Sequence, residues 1–126
     1  MSSLGWAAFV VAGAVGAPVR YLVDIAVAQR VRGALPWGTL VINVSGSFLL
    51  GILTGLGLHH GLPKTARTVL GAGFCGAYTT FSTFTFETVR LVEEGSPAEA
   101  LMNTAATFLA GAVAAAGGLA LATLGS

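Results

Sequence analysis

Four long stretches without a charged residue divide this chain of 126 residues and leave it few ways to fold. They cover residues 1–19, 33–58, 68–86 and 100–126. Each is long enough for a helix to cross a hydrocarbon core of about 30 Å. Charged residues make up 9% of the chain, whereas they make up about 25% of a soluble domain. The pattern predicts an all-α, multi-pass membrane protein, with residues 1–126 forming one domain of four transmembrane helices.

Turn and cap residues between the stretches set the ends of these helices. The predicted spans are about 4–28, 36–58, 65–91 and 97–123. Pro36 helps to start the second span, while Gly61 and Pro63 break the chain before the third. Ser96, followed by Pro97 at the first helical position, is a suitable cap for the fourth.

Basic residues are divided almost evenly between the two sides of the predicted bundle. The first and third loops and their flanks carry Arg30, Arg32 and Arg90, and the opposite side carries Lys64, Arg67 and the amine at the chain start. An excess of positive charge normally fixes which side faces the cytoplasm. Because the excess is small here, the chain can insert in both directions. We therefore predict an antiparallel, dual-topology homodimer in the lipid bilayer.

The third stretch carries glycine, hydroxyl and aromatic side chains where a lipid-facing helix would carry leucine. Its sequence at 76–84 is GAYTTFSTF. Hydroxyl groups buried at membrane depth must line a path or a protein interface. Gly71, Gly73 and Gly76, with Thr79 and Thr80, also weaken the helix. This favours a break near the bilayer centre, although a kinked, continuous helix packed by its phenylalanines is the alternative.

Polar residues in the other spans have two interpretations each. Asn43 interrupts an apolar run in the second span and is either an interhelical contact or an N–H donor aimed at an anion. In the fourth span Asn103 and Thr107 share one face, which either packs or lines a route. Arg20, with Asp24 four residues later, either anchors the first span at the interface or attracts an anion into a vestibule.

The candidate lining favours a small anion over a cation. It offers amide N–H groups, hydroxyls and phenyl edges, and no carboxylate lies at the middle of a predicted span. Phenyl edges carry positive quadrupole density and can contact an anion without holding it as firmly as a formal charge would. The sequence shows no nucleophile–base pair, metal-ligand cluster or phosphate-binding motif, and the single Cys75 suggests a packed thiol. We therefore predict a protein that is not an enzyme and has no nucleic-acid partner.

Three motifs resemble those of the Fluc (CrcB) fluoride-channel family. They are GAGFCGAYTTFSTF at 71–84, NVSGSF at 43–48 followed by Gly51, and GAPVRY at 16–21. The layout of four spans is also similar over the whole chain. The resemblance implies a passive, fluoride-selective channel, built as a dual-topology homodimer with two antiparallel pores, that exports fluoride across the inner cell membrane.

The resemblance also implies a role for each matching residue. Phe81 and Phe84 would present ring edges to fluoride, and Asn43 would be a donor. Gly76 and Thr79 would present backbone carbonyls from both subunits to a structural Na⁺ at the dimer interface. The remaining polar positions would lie along the path: Ser82 and Thr83 beside it, Asn103 and Thr107 on the polar track of the fourth helix, and Arg20 in the vestibule.

Two positions depart from the family pattern. Ala77 replaces a glycine that commonly follows Gly76, and Gly111 stands where a serine can occur.

Two other functions remain to be distinguished. A small multidrug transporter also has four spans, but it needs an acid embedded in the membrane, and the first span offers only Asp24 near its end. A noncatalytic assembly subunit, whose polar residues only join helices, would show no ion flux.

Overall fold

The computed structural model describes residues 1–124, and these residues contain helices and no strand. Three helices are long and apolar enough to cross a membrane: α1 (Ser3–Ala28), α2 (Trp37–His59) and α5 (Pro97–Ala122). Between α2 and α5 lie two shorter helical segments, α3 at residues 64–78 and α4 at Phe81–Glu93. The all-helical class predicted from the sequence is confirmed for the described residues. The third predicted span, 65–91, corresponds to α3 and α4 together.

The segment α3 changes its winding along its length. It starts as an α-helix at Lys64–Thr68, widens to a π-helix at Val69–Cys75, and ends with one turn at Gly76–Tyr78. Glycine residues allow this segment to pack closely on α1: Gly73 lies against the backbone carbonyl of Phe9 on that helix. π-helical turns are rare and occur frequently at functional sites. The winding of α3 is a feature that the sequence did not predict.

Close approach of backbones joins α2 to α5. At Gly51, a Cβ atom would collide with the backbone carbonyl of Ala115, and at Gly118 it would lie 2.9 Å from the backbone nitrogen of Ile52. Without a hydrophobic force between helices in lipid, such contacts between small residues supply van der Waals attraction. Gly51 and Gly118 thus allow α2 and α5 to pack closely.

Large apolar side chains cover much of the outer surface. Val113 is 72% exposed, Leu101 is 71% exposed and Leu109 is 68% exposed, all on α5. A soluble monomer rarely exposes an apolar surface of this extent. The surface is suited to contact with lipid chains or with another membrane helix.

A methyl group added at Gly118 tests the packing of α2 on α5. We expect Gly118→Ala to lower the free energy of unfolding by about 1–3 kcal/mol, because the new Cβ would overpack the backbone of α2. Gly117→Ala is the matched control, since no atom lies within 4 Å of its Cβ position. The comparison is made by unfolding both purified variants in detergent. Equal stability of the two would contradict the packing described here.

Candidate functional site

An interruption of two residues with extended backbone, Thr79 and Thr80, separates α3 from α4. Thr79 has φ −78° and ψ 161°, and Thr80 has φ −148° and ψ 120°. In a continuous α-helix, the N–H of Thr80 would donate to the carbonyl of Gly76. The extended backbone removes that bond, so the N–H of Thr80 needs another partner.

The side chain of Asn43 on α2 supplies that partner and also bonds to the Thr80 carbonyl. The N–H of Thr80 donates to Asn43 Oδ1 over 2.9 Å, and Asn43 Nδ2 donates to the carbonyl of Thr80 over 2.9 Å. A primary amide has two N–H groups. One is therefore used in the contact between helices, while the other remains available to the groove that Asn43 lines.

The hydroxyl of Thr80 starts α4. Its Oγ1 accepts a hydrogen bond from the N–H of Thr83 over 3.2 Å and donates to Thr83 Oγ1 over 3.0 Å. Threonine in extended conformation immediately before a helix is a favoured N-cap. Sequence reasoning missed this cap, although the threonines three residues apart at 80 and 83 are the signal that could have revealed it.

Two backbone carbonyls lose their helical donors at the interruption. The N–H of Thr80 is committed to Asn43, so it does not serve Gly76. The N–H of Thr83 is committed to the Thr80 hydroxyl, so it does not serve Thr79. Gly76 is exposed, and no atom lies within 4 Å of the position that a Cβ would take there. The Gly76 backbone is thus accessible from outside the protomer.

An open groove of about 480 Å³ lies beside the interruption. It is bounded by α2, by Thr79 and Thr80, by α4 and by α5, and its lining combines polar and aromatic side chains. The predicted site residues that meet there are Asn43, Thr79, Phe81, Phe84 and Thr107. The groove contains hydrogen-bond donors, and its lining residues include no ionisable side chain.

Three phenylalanine rings form one wall of this groove. Phe84 is 5% exposed, and its ring meets that of Phe108 edge to face, with centroids 5.7 Å apart and an interplanar angle of 89°. The ring of Phe81 lies 5.9 Å from that of Phe84 but is 70% exposed. Phe108 was missed in the sequence. The pattern of polar residues does not indicate it, because the residue directly after Thr107 lies about 100° further around the helix.

A second cavity, of about 200 Å³, shares Thr80 with the groove as a lining residue. It is lined by Arg20 and Thr83, with Asp24 and Thr39. Arg20 and Asp24 do not form an ion pair, although they lie four residues apart on α1. The ion pair within residues 1–124 joins Arg90 and Glu94, at 3.3 Å. The Thr39 hydroxyl instead donates to Glu87 on α4.

The remaining predicted positions lie outside the first groove. Asn103 is 3% exposed, and its Nδ2 donates to Thr88 Oγ1 over 2.9 Å, which ties α5 to α4. Ser82 is exposed, with its Oγ 3.4 Å from Thr80 Oγ1. Within residues 1–124, no group of three or more His, Cys, Asp or Glu side chains could hold a metal ion.

Comparisons with known proteins identify what the chain is similar to. The family model for CrcB-like proteins, described as Camphor Resistance (CrcB), matches residues 7–119. "Fluoride-specific ion channel FluC 2" of Mycobacterium tuberculosis is 44% identical over 110 residues, which cover 87% of this chain and 84% of the relative. "Fluoride-specific ion channel FluC 1" of Streptomyces avermitilis is 41% identical over 116 residues, or 92% and 94% of the two chains. "Fluoride-specific ion channel FluC" of Nitrobacter winogradskyi is 46% identical over 102 residues, or 80% and 77%.

Removal of one hydroxyl tests the cap at the interruption. We expect Thr80→Val to lower the free energy of unfolding by about 1 kcal/mol, because the N–H of Thr83 loses its acceptor. Thr85→Val is the matched control on the same helix, since the Thr85 hydroxyl bonds only to carbonyls of its own helix. Unfolding of both variants in detergent provides the comparison. A Thr85→Val variant as unstable as Thr80→Val would contradict the capping role.

Proposed function

The chain belongs to the CrcB-like protein family, a family of ion channels and not of enzymes, and we propose that it is a passive channel selective for fluoride. The observation that carries this proposal is the groove in which Asn43, Phe81, Phe84 and Thr107 converge on the helix interruption. The relatives are named as fluoride-specific channels, and this indicates the ion. The groove has uncharged donors and aromatic rings that suit a small anion.

Uncharged donors can bind a small anion and still release it. The free N–H of Asn43 and the hydroxyl of Thr107 can replace water molecules around fluoride, and the edges of Phe81 and Phe84 add positive quadrupole density. A formal positive charge at the same place would hold the anion too firmly for conduction. Arg20 lies in the second cavity, where it can attract anions as part of a vestibule.

The hydroxyls and the second asparagine have supporting roles in this proposal. Thr83 lines the second cavity and Ser82 is exposed beside it, so both can serve an anion that approaches Thr80. Asn103 is committed to Thr88 and positions α5 against α4. The polar track of α5 then consists of Thr107 within the groove and Asn103 as its support.

A homodimer with antiparallel protomers completes the proposed channel. The even division of basic residues permits both insertion directions. Phe81 is 70% exposed in the protomer, although its ring borders the groove. A second protomer would cover this ring and the exposed Gly76 backbone. Two protomers would provide two pores, through which fluoride that entered the cell as HF leaves down its own gradient across the inner membrane.

The interruption also fits the structural Na⁺ implied by the family resemblance. Gly76 and Thr79 each have a carbonyl whose helical donor is committed elsewhere, and carbonyl oxygens are suitable ligands for a hard cation. A bound Na⁺ would supply positive charge to these carbonyl dipoles. Gly76 and Thr79 of both protomers would hold it.

Fluoride flux from liposomes tests the function and the role of the rings. We expect the purified protein to release fluoride and retain chloride. Phe81→Ile and Phe84→Ile should each reduce fluoride flux about tenfold, the effect of losing an interaction of about 1.4 kcal/mol. Phe86→Ile is the matched control on α4, because Phe86 is 66% exposed and does not line the groove.

Size-exclusion chromatography of each variant shows whether the dimer is retained. Release of chloride as readily as fluoride would refute the selectivity. Unchanged fluoride flux in both groove variants would refute the role of the rings, and absence of any flux would favour an assembly subunit.

A further inference from the structure

We propose that Asn43 is a positioning residue that holds the interruption between α3 and α4 open, in addition to any contact that it makes with an anion. This inference rests on the proposed fluoride conduction only for its expected effect on fluoride flux. Its structural content is the pairing of one side-chain amide with both backbone groups of Thr80. The pairing fixes the backbone from which Phe81 and Phe84 project.

The first step of the argument is the free-energy cost of an interrupted helix in a membrane. A backbone N–H or carbonyl without a partner in the hydrocarbon region costs several kcal/mol. Asparagine offers one acceptor and two donors, and here it satisfies the N–H and the carbonyl of the same residue, both over 2.9 Å. Aspartate would lack the donor when ionised, and serine would offer a single oxygen.

The second step is that α2 presses closely on residues 78–80. Ser45 Oγ lies 2.8 Å from the hydroxyl oxygen of Tyr78. Gly46 leaves room for the Thr79 side chain, whose methyl group would collide with a Cβ at that position. Asn43 then meets Thr80. Three contacts in succession make this part of α2 a template for the extended backbone.

The third step is the competing structure. If Asn43 is replaced by an apolar residue, the N–H of Thr80 has one local acceptor that restores its hydrogen bond, the carbonyl of Gly76, its partner in an α-helix. Thr80 would then become helical and its hydroxyl would leave the N–H of Thr83. Because Thr80 lines both cavities, this rearrangement would change the shape of both.

Solid-state NMR of the full-length protein in lipid bilayers tests the inference. We expect a ¹³C–¹⁵N contact between the Thr80 carbonyl and the Asn43 side-chain nitrogen in the unsubstituted protein. We expect extended backbone shifts at Thr80 that move toward helical values in Asn43→Leu. Asn43→Ala adds no bulk and provides the same readout if the leucine variant does not assemble. Fluoride flux should fall roughly tenfold or more in either variant, because two hydrogen bonds are lost.

Ser47→Ala is the matched control, because Ser47 lines the same groove but its hydroxyl donates only to the carbonyl of Asn43 in its own helix, over 2.8 Å. We expect Thr80 shifts in this variant to match those of the unsubstituted protein. Loss of flux in Asn43→Ala with unchanged Thr80 shifts would overturn the inference and leave Asn43 as an anion donor alone. Absence of the Asn43–Thr80 contact would also overturn it.

The flux of the unsubstituted protein separates this inference from the proposed function. If that protein releases no fluoride, while the contact is present and the Thr80 shifts respond to Asn43→Ala, the proposed function fails and the positioning role stands. If fluoride flux is normal and the contact is absent, the positioning role fails and the proposed function stands.

Discussion

A backbone N–H group that loses its helical acceptor inside a membrane must find a new partner, and the side chain of Asn43 supplies one for the N–H of Thr80. The other features of the site depend on it. The extended Thr80 directs its hydroxyl to the N–H of Thr83, which starts α4. The start of α4 places Phe84 at the groove and in edge contact with Phe108. The same geometry withdraws helical donors from the carbonyls of Gly76 and Thr79.

The distribution of charge complements this arrangement. The groove residues are uncharged, whereas Arg20 lies in the neighbouring cavity. In the proposed channel, an anion would pass from a region of long-range attraction to one of short, weak contacts. Conduction requires this order, since binding must be favourable enough for entry and weak enough for exit. Amide, hydroxyl and phenyl groups, each with modest individual attraction, suit a small ion that would need several donors to replace its water.

The sequence predicted the helical class and much of the groove because both follow from local patterns. Long uncharged stretches indicated the membrane helices. Polar residues within them indicated Asn43 and Thr107, and the resemblance to a known family indicated Phe81 and Phe84. Contacts that depend on three-dimensional placement were not predicted. The amide of Asn43 was assigned to either an interhelical contact or a donor role, but its partner could not be named until α2 met Thr80. Similarly, Phe108 entered the groove through packing on Phe84, and Arg20 did not pair with Asp24 although their spacing allowed it.

Water contact at individual residues tests the central claim, that the interruption keeps a polar passage open at membrane depth. The measurement is water-edited solid-state NMR of the protein in lipid bilayers, in which magnetisation passes from mobile water to nearby side chains. Thr107 lines the groove and Leu109, two residues later on the same helix, is 68% exposed on the apolar surface. The account predicts rapid transfer from water to Thr107 and slow transfer to Leu109. Transfer to Thr107 as slow as that to Leu109 would contradict it.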